Sequence, residues 1–70
     1  MTKKQFIAKA EAAFRRANPT VDFISWKRPP QIVTYPTGVK GWSGQFYATA
    51  KGYRPRHLLA QGDDTYVMVR

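Results

Sequence analysis

The chain has 70 residues, enough for one domain near the lower limit of unaided folding. It contains no cysteine, which excludes disulfide staples and thiolate metal sites, and one histidine, His57, which excludes a histidine cluster. Twelve Lys and Arg against four acids give a formal net charge of +8, a self-repulsion that points to a polyanionic partner.

Four Phe, four Tyr and two Trp supply the bulk for a small core. Met1-Thr2-Lys3-Lys4 reads as a native start. Lys9 and Glu11 interrupt the first apolar stretch, so neither a secretory leader nor a membrane span is expected, and the cytoplasm is the expected compartment.

The first element is a helix over Lys3–Ala17, rich in Ala, Lys, Arg and Glu. Thr2 with Gln5 three positions on forms a capping-box pattern. Phe6, Ile7, Ala10, Ala13, Phe14 and Ala17 share one face at 3.6-residue spacing, and Asn18-Pro19 stops the helix, with Asn suited to a left-handed cap. On the polar side, Lys4 and Arg15 take one flank and Lys9 and Arg16 the other, with small Ala8 and Ala12 between them. Glu11 is expected to pair with Arg15 at i,i+4. Such a face suits a phosphate backbone, or equally plain solvent.

The rest reads as strands. Val21–Trp26 is β-prone, Lys27-Arg28-Pro29-Pro30 is expected to break it, and Gln31–Tyr35 forms a separate short strand. Gly38–Gly44 is expected to be a mobile loop. Gln45–Lys51 is the clearest strand, with Phe46, Ala48 and Ala50 inward and Gln45, Tyr47, Thr49 and Lys51 outward. After a turn at Gly52, Arg56–Gln61 returns as a strand, in competition with a short helix running from Pro55 to a cap at Gly62. Gly62-Asp63-Asp64 turns into a last strand, Thr65–Arg70, with Val67 and Val69 on one face. The fold class is α+β: residues 1–70 form one domain, an N-terminal amphipathic helix packed on a three- or four-stranded antiparallel sheet.

Chemistry concentrates in Lys51-Gly52-Tyr53-Arg54-Pro55-Arg56-His57, with Tyr47 brought close by the hairpin. Cations neutralise phosphates and release counterions, while Tyr rings offer stacking platforms to unpaired bases. The competing reading has Tyr47 and Tyr53 merely bracing each other across strands. Lys27, Arg28 and Lys40 form a third basic group near Gly38, Gly41 and Gly44, but a Walker loop needs Gly-Lys-Ser/Thr followed by a helix, and here a strand follows. Trp26 and Trp42 are expected in the core.

Catalysis fares poorly by inventory. The acids are Glu11, Asp22 and the turn pair Asp63-Asp64, and Ser25 and Ser43 have His57 as their sole possible base. Metal-free RNA cleavage by Tyr53, Arg54, Arg56 and His57 is the one enzymatic option, although consecutive strand residues point to opposite faces. No cofactor is implied. The expectation is a nucleic-acid-binding domain for RNA or single-stranded DNA, with docking on an acidic protein surface as the alternative. The sequence leaves oligomeric state open.

Overall fold

Thr2 initiates the helix as expected. Its hydroxyl accepts from the Gln5 backbone N–H at 3.1 Å, and the Gln5 side chain accepts from the Thr2 N–H at 2.9 Å. This reciprocal cap satisfies two amides that would otherwise be orphaned, and α1 runs Lys3–Ala17. The computed structural model describes residues 1–63 and 66–70. Phe6, Ala10 and Phe14, four residues apart, are buried along one stripe, whereas Ala17 at its end is exposed. Asn18 closes the helix without the left-handed conformation expected of it (φ −136°). Both its backbone N–H and its side-chain amide donate to the Phe14 carbonyl, at 2.9 and 3.1 Å.

Four antiparallel strands follow in a meander of order β1-β2-β3-β4: β1 Phe23–Thr34, β2 Lys40–Thr49, β3 Arg56–Gly62 and β4 Val67–Val69. Two expectations are overturned here. Lys27-Arg28-Pro29-Pro30 does not end a strand; β1 runs through it, with register shifts between Trp26 and Arg28 and between Arg28 and Gln31. A proline lacks a ladder donor, but β1 lies at the sheet edge and the two irregularities absorb the mismatch. Nor is Gly38–Gly44 a loop, since β2 starts at Lys40 and Gly41 and Gly44 lie within it. Gly44 is where the bulge is accommodated. A Cβ there would stand 2.9 Å from the Arg28 carbonyl oxygen and 3.0 Å from Pro30 N and Cα, and Pro30 is wholly buried against it. Of the three glycines in this stretch, Gly38 alone serves in a turn (φ +85°), between the Tyr35 and Val39 ends of the hairpin.

Twelve residues at about 3.3 Å each make β1 about 40 Å long. The β1–β2 hairpin therefore matches the longest dimension of the molecule, 42 Å against 18 Å in the other two. In β3 the competing helix loses. Leu58 and Ala60 are buried while His57 is exposed and Leu59 half-buried, a period of two. β4 is shorter than the expected Thr65–Arg70, although Arg70 still exchanges both backbone bonds with Leu59, at 2.7 and 3.0 Å. Thr65 and Asp64 lie outside the described residues.

The helix covers one face of this sheet. Its Phe6, Ala10 and Phe14 meet Phe46, Ala48, Leu58 and Ala60, with Trp26, Trp42, Val67 and Val69 packed at the margin. Phe6 stacks near Trp42 (6.2 Å between ring centres), and Phe46 takes Phe14 edge-on at 5.4 Å and Trp26 at 4.9 Å. Both tryptophans thus serve the core as expected. The expected i,i+4 pairing of Glu11 with Arg15 gives way to other partners. The Glu11 carboxylate accepts from the Trp26 indole N–H at 2.9 Å, and Arg15 donates to the Val21 carbonyl at 3.4 Å. A half-buried indole donor needs an acceptor more than an exposed arginine needs a counter-charge.

Candidate nucleic-acid interface

Strand alternation fixes what the second face of the sheet presents. Phe46, Ala48, Leu58 and Ala60 point under the helix, so Gln45, Tyr47 and Thr49 of β2 and His57 and Leu59 of β3 point away from it. Register brings Ser25, Tyr47 and His57 into one row and Phe23 and Thr49 into the next. No second layer covers this face among the described residues, and Phe23 is left 61% exposed.

Its centre is aromatic. The Tyr47 and His57 rings meet edge to face at 4.2 Å, and the Lys27 ammonium stands 5.2 Å from the centre of the Tyr47 ring. Tyr47 and His57 also form the wall shared by two shallow hollows. One opens toward Phe23, Ser25 and Arg54, the other toward Lys27, Leu59 and Arg70. Among the described residues, no Asp or Glu side chain lines either hollow. Asp22, which precedes Phe23 in the chain, is turned to the β2–β3 connection, where it accepts from the Lys51 backbone N–H at 2.8 Å. This face thus sets aromatic rings, two of them edge to face, among three cations, the residue types that stacking on bases and contact with phosphates require.

The Lys51–His57 cluster, contiguous in sequence, is divided in space. His57 joins Tyr47 on the uncovered face. Arg56, paired with Ala48, points to the helix side, where it lies 5.9 Å from the Phe14 ring centre and donates to the Asn18 side-chain carbonyl at 3.4 Å. Lys51 and Tyr53 occupy the turn, with the Tyr53 ring 77% exposed, so Tyr47 and Tyr53 do not brace one another; Tyr47 pairs with His57 instead. Arg54 lies between the two sides, lining a hollow on each. The set Tyr53, Arg54, Arg56 and His57 is therefore not assembled on one face.

Lys4, Lys9, Arg15 and Arg16 are exposed on α1, which sits across the sheet from Tyr47 and His57. They form a separate basic surface. Lys27, Arg28 and Lys40 are also dispersed: Lys27 joins Tyr47, Arg28 lies at the bulge, and Lys40 pairs with Thr34 at the far end of the hairpin. With Gly41 and Gly44 in a strand, the three glycines form no phosphate-cradling loop.

Phe23 and Arg70 are the residues of this face that sequence reasoning missed, and Lys27, read there with Arg28 and Lys40, belongs instead beside Tyr47. A signal was present in Phe23-x-Ser25-x-Lys27, which alternates with Ile24-x-Trp26 at a period of two. For Arg70 there was none, because its place depends on pairing with Leu59. Among the described residues no group of three His, Cys, Asp or Glu is placed to hold a metal, and no helix is long and apolar enough to cross a membrane. No family model matches the chain, and no curated protein or solved structure is significantly similar to it.

Proposed function

We propose that this domain binds single-stranded nucleic acid, RNA or single-stranded DNA, across the uncovered face of its sheet. Tyr47, His57 and Phe23 stack bases, and Lys27, Arg54 and Arg70 neutralise the phosphates that run beside them. Lys51 and Tyr53 extend the surface at the β2–β3 turn. The supporting observation is the Tyr47–His57 pair on a sheet face whose hollows are lined, among the described residues, by no Asp or Glu side chain. A duplex suits this face less well, because its bases are already stacked and cannot reach exposed rings. The helix cations Lys4, Lys9, Arg15 and Arg16 raise the long-range potential that draws a polyanion in.

The test is fluorescence anisotropy with a labelled oligonucleotide of about ten mixed-sequence nucleotides. Three phosphate contacts on a single strand give a slope of about −2 in log affinity against log salt, or about 20-fold weaker binding at about 200 mM than at about 50 mM. Binding that ignores salt, or no binding at all, refutes the reading. Capture of one acidic protein in stoichiometric amount from a nuclease-treated lysate, with no oligonucleotide bound, replaces it by the protein-docking alternative.

A further inference from the structure

We infer that the cleft at the C-terminal end of α1 receives the phosphate-bearing terminal nucleotide of the bound strand, an inference that rests on the single-strand reading above. The cleft holds about 270 Å³, at the small end of ligand sites, which suits one ring system and not an oligomer. Its floor is apolar, built from Phe14, Ala48 and Ala50, Asn18 and Thr20 line it from the end of the helix, and its rim carries Tyr53, Arg54 and Arg56, with no Asp or Glu among the described lining residues. Apolar floor and cationic rim together match a flat base joined to a phosphate.

Arg56 is already aimed. Its guanidinium lies against the Phe14 ring and is tethered to the Asn18 side-chain carbonyl, so its fork pays little ordering entropy when it meets an anion. Two guanidinium groups grip a terminal phosphate, with its extra charge, better than an internal diester. Tyr53 stands at the mouth with its ring solvated, free to lie on a base. Continuity supplies the remaining argument. Arg54 lines both this cleft and the hollow beside Phe23 and Tyr47, so a strand leaving the uncovered face passes directly over it into the cleft.

The experiment compares one labelled oligonucleotide ending in hydroxyls with its 5′- and 3′-phosphorylated forms, at constant salt. One phosphorylated end binds about tenfold tighter to the wild type, the gain of a charge-assisted pair of hydrogen bonds. Ala50→Leu fills the cleft without touching the uncovered face. It abolishes that preference and leaves the hydroxyl-ended strand within about twofold of its wild-type affinity. Arg56→Lys keeps the charge but not the fork, and lowers the preference too; circular dichroism confirms that each variant is folded. Equal binding of all three oligonucleotides overturns the cleft assignment and leaves the sheet-face reading standing. A preference that survives both substitutions overturns it as well, because the phosphate is then held elsewhere. A nucleoside monophosphate that occupies the cleft as tightly as the strand end also overturns it, in favour of a free-nucleotide site. Failure of every strand to bind removes the sheet-face reading itself.

Discussion

Replacing Tyr47 by alanine removes the central ring of the uncovered face and no charge. The ring meets His57 at 4.2 Å and lies 5.2 Å from the Lys27 ammonium, which stays on its own strand when the ring is lost, so the surface loses one stacking platform and no phosphate contact. One base–aromatic stack is worth about 1–3 kcal/mol, which predicts affinity falling about 5- to 140-fold. The fold survives, because Tyr47 points away from the core and a cross-strand pair contributes about 0.2–1 kcal/mol. The salt titration carries the sharper signature. Tyr47→Ala weakens binding at every salt concentration but keeps the slope, whereas Lys27→Ala costs less affinity and reduces the slope by about 0.7. Anisotropy titrations of both variants across the same salt series measure the two effects separately. Unchanged affinity for Tyr47→Ala, or a slope that falls with it, refutes the assignment of stacking to the ring and of phosphate contact to the lysine.

Two predictions address the scaffold. Gly44→Ala forces a methyl to 2.9–3.0 Å from backbone atoms of Arg28 and Pro30, which cannot swing aside as a side chain could. Destabilisation of about 1–3 kcal/mol is expected, read as a lower thermal midpoint, and a midpoint equal to wild type would show that the bulge relaxes freely. Glu11→Ala leaves the half-buried Trp26 indole N–H without its acceptor and costs about 1 kcal/mol in urea unfolding, whereas Glu11→Gln retains a carbonyl and loses little. Equal losses for the two variants would mean that the carboxylate acts through its charge and not as an acceptor.

How much of this was legible depends on how far apart the deciding residues lie. The helix was readable because its cap, stripe and stop are all local, from Thr2 to Asn18. The continuity of β1 was not. Pro29-Pro30 is a break by any local rule, and its tolerance comes from the strand's position at the edge and from a glycine fourteen positions later in β2. The glycine run misled for the same reason: Gly44 meets a neighbouring backbone, and chain freedom is not its purpose. For the site, the Lys51–His57 segment is legible as a basic, aromatic stretch, but alternation sends Arg56 and His57 to opposite sides. Phe23, Lys27 and Arg70 join His57 only through registry with β2 and β3, which one sequence does not print.

The proline-kinked rim of β1 has a bearing on how many copies can share one polymer. A binder that lines up along a strand is held at high local concentration, with unpaired amides of neighbouring sheets brought side by side. A straight twelve-residue border would invite those sheets to zip together. Here Pro29 and Pro30 remove two amide donors from the middle of the strand, where its pairing register also shifts on both sides of Arg28, and this works against continuous zipping. Under the proposed binding, dense packing along one nucleic-acid strand is thereby compatible with separate, reversible units.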